Sequence, residues 1–229
     1  MTTPDYGTAF AAWRAAAGPA WDAYSRHAFV EGIADGTLPR ENFLFYLRQD
    51  YIFLSHFSRA WALAAAKAGR MAEMTACAGT LHALVHHEMP LHVRICAGEG
   101  IDAAALEATE EAPENLAYTR YVLEAGYSGD FLDLMAALAP CVLGYGEIGA
   151  RLKGAGGPYR DWIETYGGDD YQDLCREVGR MIDAGLEHRL GPGWAELPRA
   201  GALADRFATA TRLEVGFWGM GLRGNRPPG

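Results

Sequence analysis

The spacing of apolar residues is the feature that most constrains how this chain of 229 residues can fold. Almost every segment repeats its apolar positions with the period of an α-helix, and no run alternates β-branched residues as a half-buried strand does. The pattern therefore predicts an all-α protein. Because 50% of the residues are hydrophobic, the chain can form one domain with a sizeable core.

Glycine and proline divide this helical pattern into segments. Gly18 is a weak point within the first helix, and Gly32 to Thr37 is expected to be a turn. We see no repeat and no long linker, so residues 1–224 are expected to form a single domain and residues 225–229 a disordered tail. The predicted helices cover about residues 4–26, 39–68, 70–97, 113–125, 129–153, 159–165, 169–190 and 198–221.

The charge balance argues against two classes of partner. The formal net charge is −9, and the acidic residues are spread along the chain, whereas binding to nucleic acid or to an anionic membrane requires a basic stripe. No secretory signal opens the sequence, and no apolar run approaches the roughly 20 residues that span a bilayer. The four cysteines form no CxxC pair, so we expect reduced thiols in a cytoplasmic protein.

A thiol and a phenol, Cys141 and Tyr145, lie one helical turn apart in an apolar segment. Pro140 precedes the thiol and removes a backbone donor, which predicts a bend and loosened carbonyls there. A free cysteine in such a segment is often only a small core residue. Its neighbours elsewhere in the sequence favour a nucleophile instead.

Two carboxylates lie on apolar helix faces where packing alone does not explain them. Asp50 lies on an aromatic stripe of the second long helix, and Glu214 shares a stripe with Phe217 and Trp218 in the last. Burying an unpaired carboxylate is costly, so each residue needs a partner or a chemical role. A core hydrogen bond for Asp50, or an ion pair with an arginine for Glu214, is the structural alternative. A desolvated Glu214 has a raised pKa and is suited to general acid catalysis.

A histidine-rich stretch raises the question of a metal site. Glu88 and His92 share an inward face, whereas His82 and His86 form a pair on the opposite, solvent side. Imidazoles one turn apart can chelate a metal, but these side chains do not converge, and we expect no metal site. Inward acids, a thiol and aromatic side chains instead predict a small-molecule pocket; the aromatic candidates are Phe53, Tyr118, Tyr145 and Tyr166.

Five segments of the sequence, in order, resemble the TenA family of thiaminase II enzymes, and together they extend over nearly the whole chain. They are His27–Leu38, Tyr46–Tyr51, Pro140–Cys141 with Tyr145–Gly149, Trp162–Asp169, and Glu214–Met220. The resemblance implies a haem-oxygenase-like helical bundle without haem, with no metal or cofactor, assembled as a homotetramer. It also implies hydrolysis of 4-amino-5-aminomethyl-2-methylpyrimidine to the hydroxymethyl pyrimidine and ammonia in thiamin salvage, and cleavage of thiamin by the same chemistry.

The resemblance also assigns roles to residues. It implies that Cys141 is the nucleophile, that Glu214 is the proton donor and that Asp50 binds the pyrimidine amino group and ring nitrogen. Tyr145 and Tyr166 would contact the substrate, and Tyr118 would form a pocket wall. The sequence departs from the family where His27-Ala28 replaces His-Pro, and at Phe53, where some members carry a tyrosine thought to assist the cysteine.

Two other functions use the same residues. A metal-dependent oxygenase on this fold would hold iron with Asp50, Glu88, His92 and Glu214, although the paired Glu-x-x-His spacing of di-iron bundles is missing. Alternatively, the protein is a non-catalytic pyrimidine-binding accessory protein, in which Cys141 would be dispensable.

Overall fold

The computed structural model describes residues 3–226, and within this range every regular element is helical. The predicted all-α class is therefore confirmed. The predicted disordered tail falls mostly on residues 227–229, which lie outside the described range. In chain order the helices are α1 (Thr8–Ala17), α2 (Pro19–Ser25), α3 (Ala28–Asp35), α4 (Arg40–Lys67), α5 (Met71–Ala83), α6 (Met89–Gly98), α7 (Ala103–Glu107), α8 (Pro113–Ser128), α9 (Phe131–Leu152), α10 (Arg160–Gly167), α11 (Asp169–Leu190) and α12 (Pro198–Arg223).

Helix α9 is the centre of the bundle and packs against α8, α10, α11 and α12. Asp130 begins it with a capping box: its side chain accepts from the backbone of Leu132 and Asp133, and the Asp133 side chain accepts from the backbone of Asp130. By length and apolar character α9 could cross a membrane, but 94% of its most apolar window is buried within the protein. It is the core helix, and it carries the Cys141 thiol.

The predicted helix over residues 4–26 is wrong at two points: residues 4–7 are not helical, and the helix breaks completely at Gly18, the predicted weak point. Gly18 has a φ of 52°, and Pro19 occupies the first turn of α2, so the helix ends at Ala17 and restarts in a new direction. The predicted turn from Gly32 to Thr37 is also wrong over its first four residues. Helix α3 continues to Asp35 and ends at Gly36, whose φ is 75°.

The predicted helix over residues 70–97 contains an unpredicted π-helical turn, Leu84–Glu88, between α5 and α6. Pro90 follows directly and cannot donate a backbone hydrogen bond to the turn before it. A π turn contains extra residues per turn and so changes which side chains face inward. The short helix α7 was not predicted from the sequence.

Two close contacts fix the position of α9. A side chain at Gly149 would clash with the backbone of Tyr166, and one at Gly167 would lie 2.7 Å from the carbonyl oxygen of Gly149. These glycines let α9 and α10 cross with their backbones in contact. The crossing places Tyr166 against the helix that carries Cys141.

Candidate active site

A cavity of about 700 Å³ extends inward between the π turn, α9 and α11. Its lining includes Cys141 and Glu88 together with the apolar residues Phe57, Leu84 and Val142. Acidic residues surround the part nearer the surface; they are Glu164, Asp169, Asp170, Asp173 and Glu177. The cavity is therefore large enough for a pyrimidine and ends at the predicted nucleophile.

Cys141 lies beside Glu214, as the sequence predicts for inward residues of α9 and α12. The thiol is only 7% exposed, and Glu214 is 1% exposed. Burial raises the pKa of Glu214 to about 8, although hydrogen bonds from Tyr118 and Cys141 oppose the rise. Burial, and then the neighbouring Glu214, raise the pKa of the Cys141 thiol well above its ordinary value. At neutral pH both groups are therefore mainly protonated.

Tyr118 connects α8 to this pair. Its hydroxyl donates to Oε1 of Glu214 at 2.9 Å. Phe53 packs against the Tyr118 ring at a centroid distance of 4.9 Å and against Phe217 at 5.3 Å. Phe53 thus presents an aromatic surface, not a polar group, to this side of the cluster.

Asp50 lies deeper in the bundle with Tyr46 and His92. The Tyr46 hydroxyl donates to Oδ2 of Asp50 at 3.1 Å, and Nδ1 of His92 lies 3.3 Å from the same oxygen. Burial, and secondly the charge of Glu88, raise the pKa of Asp50 well above its ordinary value. Burial lowers the pKa of His92 to about 3, so its imidazole is neutral and forms no ion pair with Asp50 at neutral pH.

Tyr145 and Tyr166 line the polar cluster from α9 and α10, with their rings 4.9 Å apart. The Tyr145 hydroxyl lies 3.4 Å from that of Tyr46. The Tyr166 hydroxyl donates to Oε1 of Glu88 at 2.6 Å. Burial raises the pKa of Glu88 to about 7, against the effect of this hydrogen bond.

The structure therefore gathers all seven site residues predicted from the sequence around one buried cluster: Phe53, Asp50, Tyr118, Cys141, Tyr145, Tyr166 and Glu214. Within the described residues, neither Asp50 nor Glu214 pairs with a lysine or arginine, so the ion-pair alternative for Glu214 is not what the structure contains. Three of the four residues named for the oxygenase alternative, Asp50, Glu88 and His92, place ligand atoms within 4.8 Å of one another. Glu214, the fourth, is instead bonded to Tyr118.

The sequence reasoning missed two contributors. Tyr46 was treated only as part of an aromatic stripe, although it precedes Asp50 by one helical turn and therefore faces the same side. Trp162 donates from its ring nitrogen to the Tyr46 hydroxyl at 3.3 Å, which fixes that hydroxyl toward Asp50. No spacing pattern predicts this second contact, because 116 residues separate its two partners.

The fold and the site together define an all-helical protein with a buried thiol–carboxyl pocket for a small molecule. The chain belongs to the TENA/THI-4/PQQC family, whose sequence profile matches residues 14–224. The crystal structure of a TenA family transcription regulator from a Silicibacter species is 61% identical and superposes with a TM-score of 0.94, covering 97% of this chain and 99% of that one. The haem-oxygenase-like fold is thereby confirmed.

Relatives with enzymatic names are also similar over most of their length. The aminopyrimidine aminohydrolase of Halalkalibacterium halodurans is 38% identical over 207 residues, which is 88% of this chain and 90% of the relative. The aminopyrimidine aminohydrolase of Bacillus subtilis is 34% identical over 219 residues, or 92% of this chain and 88% of the relative.

Proposed function

We propose that this protein is an aminopyrimidine aminohydrolase of thiamin salvage. It would convert 4-amino-5-aminomethyl-2-methylpyrimidine into the hydroxymethyl pyrimidine and ammonia, and would cleave thiamin by the same chemistry. The observation that carries the proposal is the Cys141 thiol, which lies on the wall of a cavity of about 700 Å³ beside the Glu214 carboxyl. The names of the Halalkalibacterium and Bacillus relatives support the same reaction.

Cys141 begins the reaction by adding to the unsubstituted ring carbon of the electron-poor pyrimidine. The minor, ionised fraction of Glu214 accepts the thiol proton as the carbon–sulfur bond forms. The same carboxyl then protonates the ring. Because Glu214 has a pKa of about 8, it can both take and return a proton near neutral pH. The contact between Glu214 and Cys141 also provides a group that activates the thiol. Such a group is needed because this chain has Phe53 where some members have a tyrosine.

Asp50 recognises the edge of the pyrimidine. Burial raises the pKa of Asp50 well above its ordinary value and so favours the protonated carboxyl, which offers one O–H donor and one acceptor oxygen. An aminopyrimidine offers the complementary pair, an amino donor beside a ring nitrogen acceptor. Tyr46 holds Oδ2 of Asp50 at 3.1 Å and so orients the carboxyl for this contact.

The aromatic side chains form the walls around the ring. Tyr145 and Tyr166 contact the substrate from α9 and α10, and Tyr118 and Phe53 cover it from α8 and α4. Flat aromatic faces favour a planar heterocycle over a flexible aliphatic amine.

The direct test is release of ammonia and hydroxymethyl pyrimidine from the aminomethyl pyrimidine by purified protein. We expect Cys141→Ser to lower kcat by at least about 10³-fold, whereas the matched variant Cys77→Ser, a buried thiol outside the pocket, retains activity. Equal rates for the wild type and Cys141→Ser would exclude the nucleophile. Stoichiometric iron in active protein would favour the oxygenase alternative, and full complementation by Cys141→Ala in a salvage-dependent strain would favour the accessory-protein alternative.

The proposal includes a cytoplasmic homotetramer. Met71, 73% exposed, and Tyr127, 75% exposed, are large apolar side chains that such an assembly could cover. Light scattering should give four times the chain mass of 24.8 kDa. A monomer mass at micromolar concentration would exclude the tetramer.

A further inference from the structure

We propose that Glu88 is a second acid–base catalyst of this hydrolysis. In this role it gives its carboxyl proton to the departing amine and then takes a proton from the water that replaces it. The inference rests on the proposed function, and it assigns a task to a carboxyl that the family resemblance leaves without one.

The position of Glu88 is the first support. Glu88 and Cys141 both line the cavity, whereas Glu214 and Asp50 do not. Glu214 is 1% exposed, so water that enters the cavity reaches Glu88 and not Glu214. The remaining carboxylates of the cavity lie toward its rim, and several already pair with surface cations, as Asp169 does with Lys153. Glu88 is therefore the carboxyl that entering water and a departing amine meet beside the thiol.

The hydrogen bonding of Glu88 is the second support. Tyr166 donates to Oε1 at 2.6 Å, and this is the one hydrogen bond that the carboxyl makes among residues 3–226. Oε1 is thereby held against α10, while Oε2 makes no hydrogen bond to another residue in that range. A carboxyl held by one oxygen and open at the other has the geometry that proton transfer to a substrate requires.

The electrostatic surroundings suit a group that must act first as an acid and then as a base. Asp50 and Tyr46 face Glu88 from α4, His92 from α6, Cys141 from α9, Tyr166 from α10, and Tyr171 and Cys175 from α11; none of these carries a positive charge at neutral pH. The pKa of Glu88 is raised to about 7, primarily by burial. Both of its protonation states are therefore populated near neutral pH.

Glu88 gives one proton to the leaving amine and takes one from water, so it ends the reaction in the state in which it began. After the thiolate has added to the ring, the exocyclic carbon–nitrogen bond breaks, its electron pair goes to nitrogen, and the Glu88 proton converts the amino group into ammonia. The Glu88 carboxylate then accepts a proton from water as the water oxygen bonds to the methylene carbon. The electrons return to the ring, the thiolate leaves, and Glu88 ends protonated as it began.

The test compares two leaving groups. For Glu88 to give its proton, the substrate must be bound with its amino group as the free amine, which leaves as ammonia only once it is protonated; the thiazolium of thiamin instead departs as a neutral thiazole without a proton. We expect Glu88→Gln to lower kcat for the aminomethyl pyrimidine by at least about 100-fold. The loss of kcat for thiamin should be smaller than this loss by a factor of at least about ten. The dissociation constant of the hydroxymethyl pyrimidine, measured by calorimetry, should change less than three-fold, which also shows that the variant is folded.

The matched control is Glu187→Gln, which removes an exposed carboxylate of α11 that does not line the cavity and should leave kcat unchanged for both substrates. If Glu88→Gln retains the wild-type kcat, or if both substrates lose the same factor, the assignment is overturned while the proposed function stands. A wild type that is inactive on both substrates overturns the proposed function itself.

Discussion

The Tyr118 hydroxyl donates a 2.9 Å hydrogen bond to Oε1 of Glu214, and this bond joins α8 to α12 at the predicted proton donor. The bond stabilises the carboxylate form of Glu214, so it lowers a pKa that burial raises. Tyr118 therefore adjusts the pH range in which Glu214 can exchange a proton with the neighbouring thiol.

Replacing Tyr118 by phenylalanine removes that hydrogen bond and keeps the aromatic wall. The pKa of Glu214 should then rise further above 8, and the limb of the kcat profile that reports its ionisation should move to higher pH. We also expect kcat at pH 7 to fall about ten-fold, since one hydrogen bond to a charged group contributes roughly 1.5 kcal/mol. Tyr121→Phe on the same helix, whose hydroxyl donates to the Arg206 carbonyl, is the control. An unshifted limb in Tyr118→Phe would exclude this coupling.

Cys141 should react slowly with thiol reagents in the resting protein. Its pKa is held well above the ordinary value by burial and by Glu214, and the thiolate is the reactive form. Alkylation by iodoacetamide at pH 8, followed by peptide mass spectrometry, should be at least about ten-fold slower than that of free cysteine. Rapid alkylation of wild-type Cys141 would show that the thiol is already ionised.

The buried Glu214 carboxyl makes the protein less stable at high pH. Its folded-state pKa of about 8 exceeds the ordinary value of 4.5, so its stabilising contribution is complete below about pH 4.5 and is lost as pH rises through 8. Glu214→Gln does not ionise and should gain stability over the wild type between pH 5 and pH 9. A tenfold difference in proton affinity is worth about 1.4 kcal/mol. The relative gain in Tm should therefore be at least about 3–6 °C. A Tm difference that does not change with pH would contradict the buried acid.

Glu73 has the opposite pH dependence. Its side chain is 2% exposed and pairs with Arg189 at 2.7 Å and Arg70 at 3.0 Å, and these hydrogen bonds lower its pKa to about 2. Its stabilising contribution is therefore present above about pH 4.5 and is lost as pH falls toward 2. Glu73→Gln should reduce the free energy of unfolding by about 2–4 kcal/mol at pH 7, because it leaves the partly buried Arg189 without its partner.

The control for Glu73 is the exposed pair of Asp173 and Arg176. Asp173→Asn should change the free energy of unfolding by less than about 0.5 kcal/mol in urea titrations at pH 7. Equal effects of the two substitutions would mean that burial does not strengthen the Glu73 ion pairs.

The sequence predicts the features of this site that are set within a single helix, namely which residues lie on its inward face. Asp50, Cys141 and Glu214 were identified as inward because each lies on an apolar stripe with a fixed period of 3.6 residues. The start of α4 at Pro39 was predictable, but the full break at Gly18–Pro19 was predicted only as a weak point, and the turn predicted from Gly32 is wrong because Gly32 lies within α3. There the absent side chain makes room for Leu38, whose Cβ would lie 3.1 Å from an added Cβ.

The parts that the sequence does not predict depend on how helices cross. Tyr118 and Glu214 are 96 residues apart, and Tyr166 and Glu88 are 78 apart, so no local pattern connects them. The π turn at Leu84–Glu88 is equally hidden, because a single extra residue in a helical turn leaves no compositional mark. Its effect is large, since it sets where Glu88 enters the cavity.

The backbone contact between Gly149 and Gly167 determines which wall of the cavity can give way. A substrate that travels from the cavity to Asp50 must pass Cys141 and Glu88. Either α9, which carries Cys141, or the π turn, which carries Glu88, must therefore move. Helices α9 and α10 cross with their backbones in contact at Gly149 and Gly167. Because no side chains separate them there, the two helices behave as a single rigid unit. The opposite wall contains the π turn, whose hydrogen bonding is already irregular. Among the walls of the cavity, we therefore expect amide exchange with solvent to be fastest along Leu84–Glu88 and slowest at the α9–α10 crossing. The pocket would open by movement of the π turn, while the wall that carries Cys141 stays in place.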